Sequence, residues 1–160
     1  MYRLGHYGAA LVVYSPLGLG LLLADLRTLA VLGGALSLAL ASLPDIDQRL
    51  PFVDHRGATH TLAFAAAVGA VLATGGFLAG RSGGVGTAVR LAAVGFAVGF
   101  TATCSHLLAD VITPMGITPL WPLSKRHYTL DVARADNRVV NYALFGLGVL
   151  VTVAVLGVAR

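Results

Sequence analysis

His106 and Asp110 stand four residues apart near the end of an apolar stretch. In a helix this spacing puts both side chains on one face. An imidazole nitrogen and a carboxylate oxygen presented together suit a divalent transition metal. A histidine that hydrogen-bonds to its own helix neighbour would show the same spacing. The pair alone therefore leaves metal binding and local hydrogen bonding equally open.

Asp45 and Asp47 form a second candidate group, directly after Pro44. Two ionised carboxylates this close repel each other, and a divalent cation between them removes the conflict. A solvated turn at a helix end is the alternative reading. The chain contains no Glu, so its seven Asp are the only carboxylate side chains.

A third group lies in the motif HRGATH, which ends at His60 just inside the next apolar run. Ionisable groups within a membrane are costly and are functional candidates by default. Arg56 suits phosphate because guanidinium presents paired donors, although a lipid-facing interfacial anchor would look the same. His55 is the candidate general acid or base, since histidine exchanges protons near neutral pH. We place Thr59 beside Arg56 as a substrate contact.

The composition predicts that the chain is a membrane protein. Hydrophobic residues make up 57% of the 160 positions and charged residues 11%, against about a quarter charged in soluble domains. So short a chain could not bury that much apolar surface in a core of its own. The net charge of +4 does not indicate nucleic acid binding, because the basic residues are scattered between apolar runs. Anionic lipid head groups are the better partner.

Five apolar segments approach the length of about 20 residues that a membrane-spanning helix needs. They cover residues 8–23, 28–43, 61–80, 91–109 and 139–159. We predict an all-α, multi-pass protein of the cell membrane, with about five helices in one bundle and residues 1–160 as a single domain. Segment one carries Pro16, so a kink or a re-entrant turn is an alternative to a full crossing.

Counting five crossings brings the candidate groups together. The N-terminal residues around His6, the loop 44–60 and the loop 110–138 then lie on one face of the membrane. Each histidine and each aspartate except Asp25 falls on that face, although the segments were chosen by apolar length alone. The long second loop would cover the site, and Lys125, Arg126 and His127 within it are predicted to contact a lipid head group.

The shared face offers six nitrogen and oxygen donors to one or two divalent ions. Zinc is the leading candidate, and manganese or iron suits the same donors. The predicted ligands are His6, Asp45, Asp47, His60, His106 and Asp110.

The motifs PDID, HRGATHTL and SHLLADVITPMGITPLWPLSKR, with an N-terminal His, resemble those of YdjM-type membrane-bound metal-dependent hydrolases. The resemblance runs over nearly the whole chain and implies metal-dependent hydrolysis without naming a substrate. Gln48 and Thr61 depart from the pattern, since His and Ser are frequent there, and Gln48 removes a further ligand. The matching positions are His6, Asp45, Asp47, His55, Arg56, Gly57, Thr59, His60, Ser105, His106, Asp110, Thr113 and Pro114.

The resulting hypothesis is a hydrolase that cleaves a phosphoester of a lipid or lipid-linked substrate at the membrane interface. Three alternatives remain. A b-type haem protein would use His60 and His106 as axial ligands, but haem needs no carboxylates. A metal-ion transporter would place its site near the midplane, whereas these donors cluster at one end. A metal-stabilised scaffold would bind the ion without turnover.

Overall fold

Five α helices account for most of the computed structural model, which describes residues 1–52 and 54–159. Each helix is long and apolar enough to cross a membrane, when the 3₁₀ turn Pro44–Arg49 is counted with the second helix. The described residues contain one isolated β-bridge and no strand. The prediction of an all-α membrane protein with five spans is confirmed. The helices are α1 (Arg3–Leu23), α2 (Arg27–Leu40), α3 (Leu62–Gly80), α4 (Val85–Val111) and α5 (Arg138–Val158).

The helix bounds differ most from the apolar segments at the starts of α1 and α4. α1 and α4 begin five and six residues earlier, at Arg3 and Val85. Apolar length measures the hydrocarbon crossing, whereas helical hydrogen bonding continues into the interface, where Arg90 can remain hydrated. α1 also runs unbroken through Pro16, so the structure shows a continuous helix rather than a re-entrant turn.

Helix pairs at close range hold the bundle together. α3 and α4 form an antiparallel hairpin with the most extensive contact, and α1 packs against α5, α2 and α4. A side chain at Gly76 of α3 would collide with the carbonyl of Leu91 in α4, and one at Gly95 would meet the carbonyl of Leu72. In lipid no hydrophobic driving force brings helices together, so they associate through close packing, which small residues permit.

The loop 112–137 folds back over the end of the bundle where α4 finishes. Ile117 and Tyr128 exchange two backbone hydrogen bonds, of 3.0 and 2.8 Å. The loop also accepts a bond from the Leu62 amide at the Pro119 carbonyl, and its Leu130 amide donates to Val111. These bonds fix the loop beside the start of α3 and the end of α4, so it lines whatever site lies at that end.

The glycine contact between α3 and α4 gives a stability prediction. Gly76→Leu should destabilise the protein by about 1–3 kcal/mol, because the new side chain forces the helix backbones apart. Gly75→Leu is the matched control, since a side chain there meets no atom within 4 Å. Thermal unfolding in detergent, followed by circular dichroism, measures both. Equal melting temperatures for the two variants would show that close packing of α3 and α4 is not limiting.

Candidate metal centre

Two histidine rings meet at the end of the bundle, and each already uses its Nδ1 proton in a hydrogen bond to another group. The Nδ1 of His106 lies 2.8 Å from the carbonyl oxygen of Ala41 and donates to it. The Nδ1 of His60 lies 3.0 Å from the Thr59 hydroxyl oxygen. Because Thr59 spends its own proton on Oδ2 of Asp47, Nδ1 of His60 is a donor too. Each ring therefore carries its lone pair on Nε2, and the two Nε2 atoms face each other at 3.2 Å.

Two facing lone pairs repel unless a cation lies between them. Both rings are fully buried, so bulk water cannot relieve the conflict. Oδ2 of Asp110 lies 3.3 and 3.5 Å from the Nε2 atoms of His60 and His106. Oδ1 of Asp45 lies 3.8 and 3.6 Å from the same two atoms. A tetrahedral zinc ion with bonds of about 2.0–2.1 Å places its ligands roughly 3.3 Å apart, so His60, His106 and Asp110 can supply three of its ligands, with Asp45 slightly farther away.

His6 brings a third imidazole to the same place. Its ring stacks on His106 with centroids 3.8 Å apart and an angle of 6° between the planes. The ring is buried, and neither of its nitrogens has a hydrogen-bond partner among the described residues. Its Nε2 lies 3.9 Å from Oδ1 of Asp110. A buried, unpartnered polar atom of this kind calls for a bound water or ion.

Ligand atoms from six residues thus form three overlapping groups, and within each group all the atoms lie within 4.8 Å of one another. These nitrogen and oxygen donors fit a divalent ion such as zinc, and the buried groups could hold one. The groups are His6, Asp45 and His106; Asp45, His55 and His60; and His60, His106 and Asp110. Five of the six predicted ligands are therefore brought together, with His55 added.

The structure places Asp47 behind the donors rather than among them. Its Oδ1 lies 3.0 Å from Nδ1 of His55, and its Oδ2 accepts from the Arg56 amide at 3.0 Å and from Thr59 at 2.9 Å. Oδ2 also faces His60. Both oxygens are thereby engaged, and Asp47 orients two imidazoles. Carboxylates that orient a ligating histidine in this way are a recurrent feature of metal sites.

Arg56 ties the donors to the long loop. Its guanidinium donates to Oδ1 of Asp110 at 2.9 Å, and to the hydroxyl of Thr113 and the carbonyl of Gly116, each at 3.0 Å. Its backbone has φ of +61°, which a residue other than glycine adopts at some cost. That conformation lets the amide bind Asp47 while the side chain reaches Asp110.

A cavity of about 820 Å³ opens beside the donors. Asp45, His55 and Arg56 line it on one side, and the loop residues Thr113 and Asp131 on the other. The His55 side chain is 36% exposed, and its contact with Asp47 leaves Nε2 available. The His55 ring can therefore exchange a proton with a molecule in this cavity.

The basic loop residues lie apart from the imidazoles. Lys125 lines a separate cavity of about 520 Å³, which also includes Arg56 and Trp121. Arg126 stacks over the ring of Tyr128 at 5.2 Å. His127 lies 3.4 Å from the Thr118 hydroxyl. These residues lie at the same end of the bundle but outside the imidazole cluster, so they are placed to contact a head group rather than a metal ion.

One positioning residue was not singled out from the sequence, and a second was noted there only as a departure from the family pattern. Asn141 is buried in α5, accepts the Tyr2 amide at 3.0 Å and donates to the Ala135 carbonyl at 3.1 Å. It thus fixes the start of α1, and with it His6. A lone amide inside an apolar run was the available signal. Gln48 donates to Oδ1 of Asp45 at 2.9 Å, and so steadies a donor.

The site geometry does not suit a haem. Axial histidines stand on opposite faces of a planar macrocycle, whereas the Nε2 atoms of His60 and His106 are only 3.2 Å apart with carboxylates beside them. The fold and site instead define a multi-pass membrane protein with a buried His/Asp cluster that could hold a metal ion.

The comparisons with known proteins agree with this class. The model of the YdjM inner membrane protein family matches residues 1–159, so the chain belongs to that family. The predicted resemblance and the predicted location in the cell membrane are confirmed. Neither a curated protein nor a solved structure matches the chain.

The donor cluster predicts metal loss on mutation. The His106→Ala/Asp110→Ala double variant should purify with its divalent metal content lowered to background, because two of four converging ligands are gone. His127→Ala, which removes a histidine outside the cluster, should keep the wild-type content. Elemental analysis of the purified proteins measures both. Wild-type metal content in the double variant would show that the ion lies elsewhere.

The position of Asp47 predicts a weaker effect. Asp47→Asn should lower metal affinity about 10–100-fold while leaving the number of bound ions at saturation unchanged, as expected for a group that orients a ligand. Asp54→Asn removes a nearby exposed carboxylate and should not change the affinity. Titration of the metal-free protein distinguishes the cases. Loss of a whole site in Asp47→Asn would make Asp47 a direct ligand.

Proposed function

We propose that this protein is a metal-dependent hydrolase that cleaves a phosphoester of a lipid or lipid-linked substrate at the membrane interface. The observation that carries the proposal is the pair of facing Nε2 atoms of His60 and His106, joined by the carboxylates of Asp45 and Asp110 beside an open cavity. A structural zinc site is closed by four protein ligands, whereas a catalytic one keeps a position open. Asp45 lies farther from the two Nε2 atoms than Asp110 does, is 24% exposed and lines the cavity. The fourth position of an ion held by His60, His106 and Asp110 would therefore face the cavity and could take water or substrate.

Zinc is the ion we favour, because the Nε2 atoms of His60 and His106 and Oδ2 of Asp110 lie 3.2, 3.3 and 3.5 Å from one another, close to the ligand separation of a tetrahedral zinc site. When bound, such an ion lowers the pKa of a water ligand toward about 7 and polarises a phosphoryl oxygen. Manganese or iron would require additional ligands, for which His6 is the nearest source.

The chain's own residues supply the remaining functions. His55, oriented by Asp47 and open to the cavity, acts as the general acid or base. Arg56 holds Asp110 in place, and the exposed edge of its guanidinium at the cavity wall favours an anionic phosphate. Lys125, Arg126 and His127 contact the head group from the loop. Lipid is the proposed substrate class because the donors lie at the ends of membrane-spanning helices.

Removing the His55 imidazole tests the assignment. His55→Ala should lower turnover of a lipid phosphate about 10²–10⁴-fold, the usual contribution of a general acid or base. Metal content should be unchanged, because the group of His60, His106 and Asp110 stays complete without His55. Asp25→Asn, at the opposite end of the bundle, should keep full turnover. Phosphate release from a panel of phospholipids and lipid phosphates in detergent micelles measures both. Full turnover in His55→Ala would remove His55 from the mechanism.

The same panel tests the reaction class. A metal-loaded wild-type protein that releases phosphate from no lipid phosphoester, yet carries the metal into liposomes, would be a transporter. If it does neither and loses thermal stability when the metal is removed, the ion serves the fold alone.

A further inference from the structure

A second cavity adjoins the metal centre on the side of α1 and α2. Its volume is about 590 Å³, and we call it the seam cavity. Two exposed arginines line it, Arg3 at the start of α1 and Arg49 after α2. Asp45 and Gln48 line both this cavity and the larger one. The seam cavity therefore runs from the interface to a candidate ligand and is basic at its rim.

An apolar cavity of about 350 Å³ lies along the same two helices and α5, and we call it the acyl groove. On α1 it extends from Leu11 to Leu22, which is about 16 Å of helix at 1.5 Å per residue. This length covers roughly half of the 30 Å hydrocarbon core. The acyl groove thus lies within the depth of the membrane that lipid chains occupy.

The register of the helices places the two cavities along the same seam. Leu11, Ser15, Gly18 and Leu22 line the acyl groove at spacings of three or four residues on α1, and Arg3 of the seam cavity stands about two turns before Leu11. Ala35 of α2 lines the acyl groove, and Ala39, four residues on in the same helix, lines the seam cavity. Residues with this spacing share a helix face. A basic, polar compartment therefore follows an apolar one along the seam between α1 and α2.

The hydroxyl groups at the acyl groove do not require a polar occupant. Tyr14 donates to the Ala30 carbonyl at 2.6 Å, and Ser15 donates to the carbonyl of Leu11 at 2.7 Å. Thr152 donates to a backbone carbonyl of its own helix at 2.8 Å. Because each hydroxyl already has its partner, water gains little there, and hydrocarbon is the occupant that fits.

We propose that the seam between α1 and α2 binds the substrate as an anionic, acyl-chain phospholipid, with one chain in the acyl groove and the phosphate between Arg3 and Arg49 on its way to Asp45. This inference rests on the proposed function and specifies its substrate. The polar order of the seam matches that of a phospholipid, since the basic rim faces the head group and the apolar segment faces the chain. A water-soluble phosphoester would have no use for the acyl groove.

Photo-crosslinking tests the inference. The probe is a phosphatidic acid with a diazirine in one acyl chain, incorporated with the protein into phosphatidylcholine nanodiscs. In Ala35→Trp, the indole should fill the acyl groove and lower crosslinking to α1 and α2 about tenfold, which corresponds to losing the burial of about two methylene groups. Ala154→Trp is the matched control, because Ala154 is exposed on α5 and does not line the groove.

A second pair of variants tests the head group. Arg3→Ala/Arg49→Ala should weaken crosslinking of the phosphatidic acid probe but not of a neutral diacylglycerol probe with the same chain. Equal crosslinking in Ala35→Trp and Ala154→Trp, or adducts spread evenly over the lipid-facing helices, would overturn the inference.

The outcome can be separated from that of the proposed function. Specific seam crosslinking without any phosphate release would retain the lipid site and reject the hydrolase. Release of phosphate from lipid and soluble substrates alike, at equal rates in wild type and Ala35→Trp, would retain the hydrolase and reject the seam as its substrate site.

Discussion

The contact between the Nε2 atoms of His60 and His106 is the constraint on which the site depends. Each ring donates its Nδ1 proton to a fixed oxygen, that of the Thr59 hydroxyl, itself bound to Asp47, or that of the Ala41 carbonyl. The two lone pairs then face each other at 3.2 Å in a buried position. Without a positive charge between them this arrangement is repulsive. Their shared orientation therefore favours a cation, and the two adjacent carboxylates supply the balancing negative charge.

Such a cluster requires a rigid support, because ionisable groups in a membrane are costly when they lose their partners. The support comes from helix ends that are tied to each other. Asn141 joins α5 to the start of α1, and Arg56 joins Asp110 at the end of α4 to the long loop. Close packing of α3 against α4 through Gly76 and Gly95 fixes the relative height of His60 and His106.

The sequence was sufficient for the number of helices and for the convergence of the donors, because both follow from apolar length and the parity of crossings. His106 and Asp110 were paired correctly on one face of α4, since helical spacing alone determines it. The separate positions of Asp45 and Asp47 could not be derived in this way. They lie in a 3₁₀ turn, where residues three apart are aligned and residues two apart are not. Asp45 thus pairs with Gln48 and faces the site, while Asp47 faces the HRGATH segment.

The cavities could not be predicted from the pattern of apolar residues, because they depend on how the helices and the loop pack in three dimensions. Both the seam cavity and the larger cavity are lined by Asp45, a partly exposed donor beside fully buried ones. A molecule that reaches the donors from either cavity therefore meets this carboxylate. For the anionic substrate proposed above, Asp45 is a like charge, and the exposed cations Arg3 and Arg49 on the wall of the seam cavity offset that repulsion.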